Sequence, residues 1–128
     1  MKWLLGLGIV VTSFFISLWT MNYFDPLCPK GESFRFSKPF QKATGFAYIA
    51  AAPQLNSLSD SGDDPVRSSI LVCEDNHLLG PGHSKHAEIG TSGKGRFSHW
   101  KDIGFVLSAS DNSDPNTNGR SYIAVQPR

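Results

Sequence analysis

The sequence predicts a mainly β protein: a small antiparallel β-sandwich or open barrel of about six strands behind one N-terminal transmembrane helix. Three features lead there. An uncharged apolar run fills the start of the chain, segments of period-two alternation follow it, and turn residues punctuate them about every 8–12 positions. The 128 residues suffice for one domain of ordinary size. Lys plus Arg number 12 and Asp plus Glu 11, a formal net charge of +1. That balance excludes a strongly basic nucleic-acid binder and an acidic disordered tail. Lys2 is the one charged side chain in the first 24 residues, so the remainder carries 11 of each sign.

Residues 1–24 read as a membrane anchor. Trp3 to Met21 (WLLGLGIVVTSFFISLWTM) is 19 residues long, and its polar interruptions are Thr12, Ser13, Ser17 and Thr20, whose hydroxyls can bond back to helix carbonyls. At about 1.5 Å per residue such a helix spans just under the roughly 30 Å hydrocarbon core. Trp3 at one end and Trp19 and Tyr23 at the other suit the headgroup zones. Lys2 and the free amine place the N-terminus in the cytoplasm and the domain in the periplasm or outside the cell. A cleaved signal peptide is the alternative, but its h-region would be unusually long and the exit SLWTMNYFDP has no A-x-A-like site. Asp25-Pro26-Leu27 is not the small-residue run that lipoprotein processing at Cys28 needs. A buried core helix of a soluble protein is a third reading, for which the chain is too small. The first two readings both export the domain.

An oxidising compartment permits a disulfide between Cys28 and Cys73, closing a loop of 44 intervening residues worth about 3–4 kcal/mol in loop entropy. Nothing in the spacing demands it, and the balance tips narrowly to two unpaired thiols, with Cys73 a small buried hydrophobe. Zinc on the two cysteines lacks the C-x-x-C spacing.

Residues 25–33, with Pro26 and Pro29, read as a linker, and residues 34–128 as the β-domain. Phe34, Phe36 and Phe40 share even spacing, as do Phe46, Tyr48 and Ala50 after Gly45. Gln54 to Arg67 reads as a mobile polar loop. Ser69 to Glu74 (SILVCE) suits a central buried strand, turned by Asp75-Asn76. Gly95 to Trp100, Ile103 to Ala109 and Tyr122 to Val125 complete the strands. His83 to Ile89, entered after Pro81, is the one segment suited to a helical turn or two.

The chemistry-bearing residues concentrate between Glu74 and Arg120, which hold His77, His83, His86 and His99. Asp111 to Gly119 is all Asp, Asn, Ser, Pro, Thr and Gly, the composition of a loop that locks itself through side-chain-to-backbone bonds. The sharper reading is calcium on Asp114, Asn116 and Asn118, with Gly119 at the turn, as in the first half of an EF-hand loop. The twelfth position is Val125 rather than a bidentate Glu, so Asp111 or Asp102 would have to contribute. His83-x-x-His86 offers two imidazoles for zinc, with His99 or Glu88 as a third ligand. A hydrolase could combine Ser84 or Ser110 with His83 or His99 and Asp111, but no G-x-S-x-G elbow exists. Gly93 to Arg96 lacks the spacing of a phosphate loop. In a strand, Phe97 and His99 share one face and Trp100 takes the other. An exposed aromatic there makes a sugar platform; the alternative is that Phe97 or Trp100 fills the core.

The tracts LLGPGHSKHAEIG, GKGRFSHW and SASDNSDPNTNGRSY resemble an uncharacterised domain of bacterial surface-polysaccharide proteins, where it accompanies glycosyltransferase- or methyltransferase-like regions. The likeness covers Glu74 to Tyr122. It implies a shared fold and a glycan context, and it brings no catalytic residue with it.

The sequence therefore reads as a single-pass membrane protein displaying a binding or interaction module rather than an enzyme. Its expected partner is a surface glycan or an envelope protein, with no cofactor except the candidate calcium. The expected ligand site combines His83, His99, Trp100, Asp111, Asn112, Asp114, Asn118 and Arg120. One alternative is a metal-dependent or hydrolytic envelope enzyme using His83, His86 and His99. The other is a structural accessory subunit of a larger membrane complex, although Gly6 and Gly8 do not form a G-x-x-x-G helix-pairing motif.

Overall fold

The computed structural model describes residues 26–128. The anchor expected over residues 1–24 lies outside them. Among the described residues no helix is long and apolar enough to cross a membrane.

The chain is mainly β and forms two four-stranded antiparallel sheets. One sheet runs β1 (Gly31–Arg35), β8 (Tyr122–Pro127), β4 (Leu71–Glu74), β5 (His77–Leu78). The other runs β2 (Gln41–Lys42), β3 (Tyr48–Ala50), β7 (Gly104–Leu107), β6 (Phe97–Trp100). A 3-10 helix spans Pro53–Leu58 and a short helix, α1, spans His86–Thr91. The apolar run around Cys73 becomes β4, hydrogen-bonded on both sides, as a strand without a polar face must be.

The two sheets share one core. Val72, Tyr122 and Ala124 from the first meet Tyr48, Phe97, Phe105 and Leu107 from the second, together with Phe36 and Phe40. Phe36 packs against Phe105 with ring centroids 5.0 Å apart, and Phe40 meets Tyr122 edge-on at 5.7 Å. β7 is buried on both faces because Val106 points the other way, to Ala47 and Ile89 of α1. Gly45, at φ +57°, lets its loop touch α1: a Cβ there would lie 2.1 Å from the Gly90 carbonyl oxygen.

The structure departs from expectation at five places. Among the described residues there are eight strands rather than six, because β2 and β5 are two-residue strands too short to show periodicity. Asp75 and Asn76 both have positive φ (46° and 71°) and make the tight turn that pairs β5 with β4. The stretch read as linker is folded: β1 starts at Gly31, and the Cys28 amide donates to the Asn76 carbonyl at 2.8 Å. Cys28 and Cys73 form a disulfide, with Cα atoms 5.8 Å apart, which corrects the narrow preference for unpaired thiols. The supposed polar loop at 54–67 contains the 3-10 helix and the fully buried Asp60. His83 lies outside α1, at φ 52°, so His83 and His86 do not share a helix face.

Candidate functional site

The site is built around Asp60. Its amide donates to the His99 carbonyl and its own carbonyl accepts from Lys101, so a parallel bridge clamps it beside Trp100 at the end of β6. The side chain is almost wholly buried, and a buried carboxylate must be hydrogen-bonded. Oδ1 accepts from the Ser68 amide and Oδ2 pairs with His83 Nδ1, each at 2.7 Å. A carboxylate accepts only, so His83 carries its hydrogen on Nδ1. The His83 side chain is 40% exposed. Its left-handed backbone, a conformation that costs about 1–3 kcal/mol for a non-glycine residue, is sustained by that anchor.

Behind it lies a second pair. Ser68 Oγ is 2.7 Å from His99 Nδ1 and accepts from the Ile70 amide at 3.4 Å. His99 is stacked on Phe105 at 4.0 Å and 9°. Burial lowers its pKa to about 4 against the opposing pull of Asp60, so the ring is neutral at pH 7. The tautomer sets the direction of the Ser68 contact at Nδ1, and the ring's other nitrogen is Nε2. That atom is fully buried and has no hydrogen-bond partner.

Two hollows meet at Asp60 and His83. The inner one, about 210 Å³, is walled by Ser68, Ile70, Leu71, Phe97 and His99. The outer one, about 430 Å³, is walled by Pro65, Val66, Lys85, His86 and Trp100. Trp100 is half-buried, with the His86 ring edge-on at 6.4 Å, and Val66 is 71% exposed. β6 thus places Phe97 and His99 inward and Trp100 outward, as period-two alternation requires.

The remaining expected residues belong to another cluster. Glu74, buried on β4, accepts from the Tyr122 hydroxyl at 2.8 Å, from the Ser110 hydroxyl at 2.6 Å and from Arg120 at 3.3 Å. Arg120 grips Asp111 with two bonds of 2.9 and 2.8 Å, which hold the Asp111 carboxyl well below the usual carboxylate range. Burial pushes the Tyr122 phenol above its usual range, and the Glu74 contact adds to it. Asn118 donates to Ser113 and Tyr122, and its oxygen accepts from the Arg120 amide. Asn112 bonds Lys94 and Ser92. Among the described residues no side-chain hydrogen bond links this network to the Asp60 site. His83, His99 and Trp100 therefore come together, while Asp111, Asn112, Asp114, Asn118 and Arg120 lock a loop elsewhere.

The candidate metal and hydrolase geometries take other forms. Asn116 is occupied by the Phe40 backbone, accepting at 2.6 Å and donating at 3.0 Å, and Asp114 accepts from the Asn116 amide. Among the described residues no group of three His, Cys, Asp or Glu side chains is placed to hold a metal. Ser84 donates to the Pro81 carbonyl and Ser110 to Glu74, so neither meets a histidine. The serine that does is Ser68, and the nearby carboxylate serves the other histidine. Asp60 and Ser68 escaped the sequence reading. Their segment is rich in Asp, Gly, Ser and Pro, and no local pattern separates a buried Asp from the solvated ones beside it. Compared with protein-family models, curated proteins and solved structures, the chain matches none.

Proposed function

We propose that the chain is a membrane-anchored extracytoplasmic binding module whose ligand is a surface glycan held in the outer groove. The carrying observation is the half-buried Trp100 beside a histidine, His83, that a buried carboxylate holds in one orientation. An aromatic face stacks on the apolar face of a pyranose, and fixed polar groups select its hydroxyls. Lys85 and His86 add donors at the rim. The Cys28–Cys73 disulfide supports an oxidising compartment. The likeness of the Glu74–Tyr122 stretch to a domain of surface-polysaccharide proteins supports a glycan context. The test is a glycan array probed with the full chain in detergent. Trp100→Ala and His83→Ala are expected to weaken the signals at least tenfold, the loss of one stacking and one polar contact. Unchanged array profiles in both variants would remove this reading.

The Asp60–His83 pair also favours a hydrolytic alternative, in which His83 Nε2 takes a proton from water in the groove. Chromatography of oligosaccharides incubated with the chain decides it: shortened or deacylated products that vanish in His83→Ala establish turnover, and intact ligand excludes it.

A further inference from the structure

The stretch ahead of β1 crosses one whole sheet. The Pro26 carbonyl accepts from the Leu78 amide at 2.8 Å and Leu27 bridges His77, so both residues are pinned to the β5 edge. By Gly31 the chain has reached the opposite edge, where β1 pairs with β8. Between the two edges it lies on the outer face of the sheet. Val72, Tyr122 and Ala124 enter the core, so by alternation Cys73, Ile123 and Val125 point outward beneath the crossing, where Cys28 meets Cys73. A hollow of about 370 Å³ remains there. Pro29, Ile123 and Val125 give it an apolar floor. Lys30 and Arg128 line it as exposed cations, drawn together because the Arg128 amide donates to the Lys30 carbonyl. Of the nearby carboxylates, Asp75 accepts from Ser121 and Glu32 lies on the other face of β1. Leu27 is 67% exposed.

Resting on the proposed membrane anchor, the geometry points to this outer face as a docking surface for the bilayer itself, with an anionic phospholipid headgroup held between Lys30 and Arg128 and Leu27 inserted among the lipids. Chain length carries the argument. The anchor is read as ending at residue 24, and Pro26 is already fixed to the sheet. Two residues span at most about 7 Å however they are arranged. The crossing segment therefore starts within about one Debye length of the headgroups, where their charge acts on basic side chains. An edge-on attitude would leave Leu27 in water. Lying on the outer face buries it and brings both cations to the phosphates. The second sheet packs on the opposite side of the core, so docking holds it away from the bilayer with the Trp100 groove open to solvent.

Lysine footprinting of the full chain in nanodiscs tests this. Discs of phosphatidylcholine are compared with discs in which about one lipid in four is phosphatidylglycerol. A water-soluble acylating reagent and mass spectrometry read the rate at each lysine. Lys30 is expected to react at least about fivefold more slowly in the anionic discs and to recover at high salt, while the exposed Lys94 and Lys101, which flank β6, keep their rates. Leu27→Asp combined with Arg128→Gln changes two exposed side chains and leaves Lys30 at the same distance along the chain from the anchor. It is expected to restore the Lys30 rate. Equal Lys30 rates in the two kinds of disc, in a protein that stays with membranes through an alkaline carbonate wash, would overturn the inference and leave the anchor standing. Slow labelling that persists in the double variant would report the tether alone and would also overturn it. Release of the chain by carbonate would overturn the anchor reading along with it.

Discussion

At His99 two local demands are met by one ring. Burial beside Phe105 excludes charge, and Ser68 holds Nδ1 at hydrogen-bond distance. The consequence is a pH dependence with a definite sign. The unfolded chain takes up a proton near pH 6.5, whereas the folded chain refuses it until about pH 4. Within that window the unfolded state binds more protons, so stability falls as pH drops, by up to about 1.4 kcal/mol per pH unit. Urea midpoints of wild type and His99→Phe at pH 7, 6 and 5 measure it. The wild type is expected to lose stability relative to the variant across this range. Parallel pH profiles would mean that His99 charges freely in the folded state. Half of this site was legible in the sequence. Alternation on a strand separated Phe97 and His99 from Trp100 without any structure. Asp60 was not legible, because its burial is decided by Ser68, eight residues on, and His83, 23 residues on.

At the scale of elements, the Asp111–Arg120 loop is the clearest case of composition announcing a conformation. Asp, Asn and Ser bond their own backbone, and here Asp111, Asp114 and Asn118 each accept from an amide two residues on. The composition did not reveal what the loop is tied to. Glu74 gathers Tyr122, Ser110 and Arg120 around one buried carboxylate, joining β4 to the end of β7's exit loop and the start of β8. Glu74→Ala leaves the Tyr122 hydroxyl and the Ser110 amide without their acceptor, and a cost of about 2–3 kcal/mol is expected. Hydrogen exchange should then show amides of residues 110–120 losing protection while β6 keeps its own. Loss of protection throughout the domain, or none, would mean that the network does not act as a local clamp. The same contrast holds for strands. β4, β6, β7 and β8 were readable because each has enough residues to declare a period. β2 and β5 were not, because two-residue strands are defined by their partners alone.

For the whole molecule, the disulfide decides how the domain is attached to what precedes it. Cys73 lies on β4, an inner strand, and Cys28 lies ahead of β1, an edge strand. A pull on the chain before Cys28 is therefore borne by the centre of the first sheet and bypasses its edge. The bridge also closes a loop with a sequence separation of 45, which in loop-entropy terms stabilises the fold by about 3–4 kcal/mol. Reduction should lower the melting temperature by more than about 10 °C in a domain of this size. The bond further predicts where the domain resides, since such bonds persist in oxidising compartments and not in a reducing cytoplasm. Thiol labelling of the expressed full chain checks both points at once. Cys28 and Cys73 should resist a maleimide after denaturation without reductant and react after reduction. Labelling of both thiols in the unreduced, denatured chain would show that the bond does not form where the protein is made, and with it would go the support that the disulfide gives to an exported domain.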